Sequence, residues 1–301
     1  MSKILVIGSS NTDIIMRVPA LPRPGETVIG SELRIVQGGK GANQAVTAAR
    51  MGAETVFVAC VGRDHFGNQA IRGYEADGID TSFIKRSVMP TGIALIHIAD
   101  NGENTIAINA GANKELREEH ITEALFDEVD FLLIQLEIPS PTIIRAVELA
   151  HKMGVKTILN PAPARSLENF PFEKTFLFTP NEIEAEFYTG ITVNSSETAG
   201  LATEKLHEIG IPNVIITMGQ KGAYCSLPAF KGMINGFSVE AVDTTAAGDV
   251  FNGALAVGMG IYENVRQAVI FAHAAAALSV KKLGAQPSIP TLDDVMDFLN
   301  Q

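Results

Sequence analysis

Apolar positions along this chain fall into two kinds of run. Short, continuously apolar stretches such as residues 3–8 (KILVIG) have the length and β-branched content of strands buried on both faces of a parallel sheet. Others follow at 55–60, 131–135, 156–160 and 214–217. Between them, apolar residues recur at helical spacing over 42–51, 141–153 and 195–209. Each of these stretches stops at a glycine, Gly52, Gly154 or Gly210, in the position where a left-handed residue ends a helix. The alternation predicts βαβ units, an α/β fold with helices on both faces of a mostly parallel sheet.

Two segments break the rhythm. Residues 13–37 and 92–108, the second with a turn at Asp100-Asn101-Gly102, alternate like half-exposed antiparallel strands. They predict a small β-sheet inserted into the larger one, with an apolar face that needs cover. Such a sheet acts as a lid over a ligand, as a dimer surface, or as both. From Val239 onward the pattern is mostly helical, over about 246–260, 263–283 and 292–300.

Composition narrows the function classes. With 301 residues, 46% of them hydrophobic, the chain can bury a sizeable core. Its net charge of -11, with no cluster of Lys or Arg, opposes nucleic-acid binding. Acidity does not oppose ATP, whose phosphates can be held by backbone N–H groups and a metal ion. Cys60 and Cys225 form no zinc or disulfide spacing. No apolar stretch has the length of a signal-peptide core or a membrane span, so a soluble cytoplasmic protein without membrane partners is expected.

The chemistry-bearing stretches each allow two readings. DTTAAGD (243–249) precedes a small-residue helix, and Ala246, Ala247 and Gly248 would let an anion approach its free N–H groups. Equally, Thr245 could cap that helix and Asp249 could be an ordinary first-turn acid. GGKGANQA (38–45) is either a glycine-rich strand-to-helix turn or a ligand loop presenting Lys40 and Asn43 from one helix face. In SSNTD (9–13), Asn11 and Asp13 would point the same way from an extended chain, a carboxylate and an amide suited to sugar hydroxyls, or Ser-Ser-Asn reads as a plain turn. Glu137 ends the run FLLIQLE at the carboxyl edge of a strand, where open α/β sheets bind ligands and where strands also reach solvent. In NEIEAE (181–186) the acids complement a helix dipole, or Asn181 and Glu184 hold Mg²⁺ through water. TMGQKG (217–222) suits a tight hairpin or a nucleotide phosphate close to Gly219 and Gly222, and His273 suits helix packing. Neither GxGxxG nor GxxxxGK[ST] is present.

Taken together and in this order, with NPAPA (160–164), TPNE (179–182) and GAQPSIP (284–290), these stretches resemble the ribokinase family of carbohydrate kinases over essentially the whole chain. The resemblance implies one carbohydrate kinase domain over 1–301. Its fold would be a ribokinase-like three-layer sandwich with a small β-sheet lid, at about 13–37 and 92–108, that doubles as the clasp of a homodimer. It implies transfer of the γ-phosphate of ATP to the 5-hydroxyl of D-ribose. Other sugars or nucleosides, and a non-catalytic sensor of the same fold, stay open as alternatives. Asn11, Asp13, Gly39, Lys40, Asn43 and Glu137 would hold the sugar. Asn181, Thr217, Gly219, Gly222 and His273 would line the ATP site, with Glu184 near Mg²⁺. Ala246, Ala247 and Gly248 would form an anion hole and Asp249 would be the catalytic base. An activating K⁺ would lie at Asp243, Thr245, Ser279, Lys282, Gly284 and Ser288, mostly through backbone carbonyls. At a helix N-terminus Asp249 should have its carboxylate form favoured, making it a weak base that mainly orients the hydroxyl.

Overall fold

A computed structural model describes residues 2–301. The first half of the chain forms β1 (Lys3–Ile7), β2 (Asn11–Val18), β3 (Glu32–Gly38), α1 (Lys40–Arg50), β4 (Glu54–Val58), β5 (Cys60–Gly62), α2 (His65–Ala76), β6 (Lys85–Ser87), β7 (Gly92–Ala99), β8 (Asn104–Asn109) and β9 (Phe131–Ile134). The second half adds α3 (Ser140–Lys152), β10 (Lys156–Leu159), β11 (Leu177–Phe178), α4 (Glu182–Thr189), α5 (Ser196–Glu208), β12 (Val214–Thr217), β13 (Ala223–Leu227), β14 (Phe230–Ile234), α6 (Ala247–Ile261), α7 (Val265–Ser279) and α8 (Leu292–Leu299).

Eight strands form the main sheet in the order β14-β13-β12-β11-β10-β9-β1-β4. Pairing is parallel from β4 to β12, and the β13–β14 hairpin closes one edge antiparallel. The continuous apolar runs are explained by cover on both sides. Alternate residues of β1 enter different cores: Ile4 and Val6 pack with α1, α2, α6, α7 and α8, whereas Leu5 and Ile7 pack with α3, α4 and α5. Strand period 2 therefore feeds two helix layers, which makes the three-layer sandwich. Gly52, Gly154 and Gly210 take positive φ just past α1, α3 and α5, as their spacing predicts.

The interrupting segments form a separate four-stranded sheet, β3-β2-β7-β8. Its two hairpins are antiparallel as expected, but its central pair, β2 with β7, is parallel. Both strands leave the main body in the same direction, and α1, β4 and α2 intervene between them, so a hairpin pairing is impossible. Leu33, Ile35 and Leu95 on β3 and β7, and Ile106 and Ile108 on β8, are about half exposed. The sheet is rooted where Asn11 pairs with Gly38 on one side and Gly92 on the other.

Cys60 and Cys225 are free and buried. Among the described residues no helix is long and apolar enough to cross a membrane. Helix α1 lies against α6 at Gly253, where an added Cβ would come within 2.6 Å of Thr47 Cβ and 2.8 Å of the Gln44 carbonyl oxygen. Gly253→Ala is therefore expected to destabilise the fold by about 1–3 kcal/mol through overpacking. Chemical denaturation checks this, and a variant as stable as the parent contradicts the close packing.

Candidate active site

Five chain segments converge at the carboxyl edge of the main sheet. The turn after β1 carries Ser9 and Ser10, the start of β2 gives Asn11 and Asp13, and α1 opens with Lys40 and Asn43. Glu137 follows β9, and α6 begins at Ala247 with Asp249 in its first turn. Gly39 caps α1 at φ 91, and a Cβ there would stand 2.7 Å from the Asn11 nitrogen, so both conformation and space demand glycine. Glu137 Oε2 accepts the Lys40 backbone N–H at 3.1 Å and the Ser9 hydroxyl at 2.5 Å, which ties three of these segments together.

Asp249, 6% exposed, accepts from two side-chain amides: Asn43 Nδ2 at 3.0 Å on Oδ2 and Gln44 Nε2 at 3.1 Å on Oδ1. Because Asn43 donates through Nδ2, its Oδ1 is left buried without a partner in the protein. Asn11 is oriented just as firmly. Asn113 Oδ1 accepts the Ser10 backbone N–H at 2.9 Å, so Asn113 Nδ2 donates to Asn11 Oδ1 at 2.7 Å and the Asn11 amide group keeps its N–H₂ free. The cluster thus offers a ligand donors and acceptors of fixed identity.

Its electrostatics are crowded. Burial raises the pKa of Asp13 to about 7, with Glu137 and Asp249 adding to the rise and Lys40 opposing it. Burial also raises Asp249, against Lys40 and the Asn43 and Gln44 N–H groups, with Glu137 again pushing upward. This corrects the expectation that the helix N-terminus favours its carboxylate form: desolvation outweighs the dipole. Burial works against the Lys40 ammonium, but Asp249, Glu137, Glu184 and Asp13 outweigh it and raise its pKa.

On the other side of the α6 start lies a cleft of about 460 Å³. Asn181, Thr217, Gly219, Gly222, Ala247, Gly248 and His273 all line it, joining every residue expected there. His273 is held neutral, its pKa lowered to about 4 by burial, against the Phe251 ring at 5.0 Å with Nε2 unpartnered. Ala246 caps α6 in the left-handed region at φ 62 with no side-chain bond. Thr245 does not cap the helix: Ala246 holds the cap position, and the Thr245 hydroxyl donates to Asp243 Oδ1 at 2.6 Å.

Two oxygen-rich sets stand beside the cleft. Asn181 and Glu184 cap α4 reciprocally, which is the dipole reading of these acids. That bond uses Glu184 Oε2 alone, so the other oxygen of the buried carboxylate is outside the cap. Asp243 binds the Thr245 and Gly284 backbone N–H groups at 2.9 and 2.8 Å, which joins three of the six residues expected around K⁺. The Lys282 N–H donates to the Ser279 carbonyl, while Ser288 bonds within its own turn to Ala285. Lys282 is exposed, so its ammonium can lie in solvent. Among the described residues no group of three His, Cys, Asp or Glu side chains makes a ready cage for a metal. Spacing did not indicate Gln44, Asn113 or Asn252, because their roles depend on contacts across more than a hundred residues or within a helix interior.

The model of the pfkB family of carbohydrate kinases matches residues 1–292. The chain is 43% identical over 299 residues to a ribokinase of Haemophilus influenzae, covering 98% of each. It is 37% identical over 305 residues to a deoxyribokinase of Salmonella typhi, covering 99% of this chain and 98% of that one. The solved structure of Arabidopsis thaliana ribokinase complexed with ribose and ATP matches all of both chains at a TM-score of 0.93 and 30% identity.

The raised pKa of Asp13 has a stability consequence. Below its ordinary value of 3.8 folded and unfolded chains both carry the proton; up to about 7 only the folded chain keeps it. Stability from this group is therefore lost as pH rises through that window. Asp13→Asn is expected to raise the melting temperature by roughly 3–6 °C at pH 8 and by progressively less toward pH 5. Thermal unfolding across that range checks this, and a gain that grows at low pH contradicts it.

Proposed function

The chain belongs to the pfkB family of carbohydrate kinases, and from that premise we propose that it transfers the γ-phosphate of ATP to the 5-hydroxyl of D-ribose. One observation carries the reading: consecutive residues at the start of α6 face two compartments. Gly248 lines the large cleft, and Asp249 is bonded into the polar cluster beneath the small sheet. A phosphoryl group bound at that helix start and a hydroxyl held at Asp249 meet across one peptide unit.

The polar cluster suits a small polyol. Asn11 offers N–H donors, Asn43 Oδ1 and the Asp13 and Glu137 carboxylates offer acceptors, and Gly39 allows close backbone approach. Lys40 supplies positive charge beside the reacting centre. In the cleft, Asn181, Thr217, Gly219, Gly222 and His273 hold the nucleotide. Phosphoryl transfer passes through a loose transition state, so alignment and charge stabilisation dominate. The N–H groups at Ala246, Ala247 and Gly248 stabilise charge on the transferred group, that of Ala247 while also donating to the Thr244 carbonyl at 3.2 Å. Asp249 orients the hydroxyl and takes its proton late; its raised pKa makes it a better acceptor than an exposed Asp. Glu184 would hold Mg²⁺ through water, supplying neutralisation of phosphate charge. Asp243, Thr245, Ser279, Lys282, Gly284 and Ser288 would hold an activating K⁺ that stiffens the loop before α6.

The small sheet is read as a lid over the sugar and as the clasp of a homodimer. Ile35 and Leu95 flank Ile14 on the face away from Asp13, an apolar row that a second copy would cover. Dependence on ATP fits a cytoplasmic enzyme. A second reading, 2-deoxyribose as acceptor, is supported by the similarity to the Salmonella typhi deoxyribokinase.

A sugar panel with ATP, followed by ADP release, is expected to give the highest kcat/KM with D-ribose; a higher value with 2-deoxyribose selects the second reading. Asp249→Asn should lower kcat by about 10²–10⁴-fold while ribose affinity stays within about threefold, and near-normal turnover would remove Asp249 from the chemistry. Leu95→Asp is expected to convert a dimer to a monomer in sedimentation velocity. A parent protein that is already monomeric overturns the clasp.

A further inference from the structure

Behind Asp249, on the side away from the sugar cluster, lies a closed circuit of buried side chains. Gln44, Gln135, Asn160, Thr179 and Asn252 are each at most 6% exposed. Asn160 Nδ2 donates to the Thr179 carbonyl at 3.1 Å, and a carbonyl can only accept. That fixes Asn160 Oδ1 as the acceptor of Gln44 Nε2, at 3.1 Å. The second Nε2 hydrogen of Gln44 then goes to Asp249 Oδ1, at 3.1 Å, and Gln44 Oε1 accepts from Gln135 Nε2 at 2.6 Å. From Thr179 the hydroxyl donates to Asn252 Oδ1 at 2.5 Å, and Asn252 Nδ2 donates to the Gly248 carbonyl at 2.8 Å. The circuit returns to the residue before Asp249. Two backbone carbonyls, Thr179 and Gly248, settle the direction of every donor in it.

We propose that Gln44, held by Asn160, is a positioning residue that clamps Asp249 Oδ1 as a hydrogen-bond acceptor and so presents Oδ2 to the sugar hydroxyl. The inference rests on the reading of Asp249 as the proton acceptor. A carboxylic acid proton on Oδ1 would meet the Gln44 N–H, so the clamp disfavours the protonated acid at that oxygen. The same circuit holds the Gly248 carbonyl, so the base and the anion-binding helix start are set relative to each other by one network. Gln44, Asn160 and Thr179 come from α1 and from the ends of β10 and β11, which are rigid elements.

The test compares Gln44→Met and Asn160→Ser with the parent enzyme and Asp249→Asn, using D-ribose and ATP with Mg²⁺. Gln44→Met is expected to lower kcat about 10- to 100-fold with KM for both substrates within about threefold. Losing the N–H donor should also move the acid limb of kcat to higher pH by about half a unit or more. The charged groups facing Asp249 are Lys40 on α1, Asp13 on β2, Glu137 after β9 and Glu184 on α4; all remain in the variant. Asn160→Ser should shift the limb in the same direction by less, and it carries the test if Gln44→Met shows no cooperative melt. A parent-like kcat and pH profile overturns the proposal, as does a loss of kcat with an unmoved acid limb, which marks a merely structural role. If Asp249→Asn itself retains turnover, the acceptor reading fails first and independently.

Discussion

Lys40 is a half-buried ammonium that answers to four carboxylates, Asp13, Glu137, Glu184 and Asp249, brought in by four different parts of the chain. Each carboxylate alone would be costly to bury, and one cation cannot neutralise four anions. The surplus is handled in two ways. Asp13 keeps its proton to about pH 7, and Asp249 is surrounded by amide N–H donors. Loss of the Lys40 charge would leave the whole set uncompensated, which is why the glycine-rich turn that delivers it is so tightly built. The site is thus under electrostatic load before any substrate arrives, and a ligand rich in hydroxyl hydrogens relieves it.

Much of the fold was legible because burial on both sheet faces writes itself into the chain. Strands β1, β9, β10 and β12 are short apolar runs, and α1, α3 and α5 end at glycines with positive φ. Helix α2 was missed: its buried stripe is thin, resting on Gly67, Ala70 and Tyr74, with few large apolar side chains to mark it. The β13–β14 hairpin and the two-residue β11 carried too little pattern to stand out. Asn11, Asp13, Lys40, Asn43, Glu137 and Asp249 do converge, and the cleft gathers the second set. The protonation behaviour of Asp249 was not legible, because it depends on depth of burial and on Gln44, which sits beside Asn43 but was masked by the stronger signal of Lys40. Amide directions, such as that of Asn113 toward Asn11, follow only from knowing which backbone group lies opposite.

The start of α6 is built by omission. A Thr or Ser cap would stabilise this helix by about 1 kcal/mol and consume an N–H donor. Instead Asp243 draws Thr245 away, and Ala246 takes a left-handed conformation that few residues other than glycine adopt readily. Donors that ordinary capping would satisfy are left open on the cleft. Stability forgone at one turn becomes capacity to bind an anion there.

The small sheet meets the body of the protein at Asn11, Gly38 and Gly92, the same spot at which the polar cluster begins. Strand β2 has 8 residues, so its far end lies about 23 Å from that root. The sheet is a long arm pivoting beside its own load. A tilt of roughly 5° at the root would carry the tip through about 2 Å, given that reach. Fractions of an ångström at Asn11 and Asp13 are thereby geared up at the far end of the central pair, where Val18 lies beside Ala99.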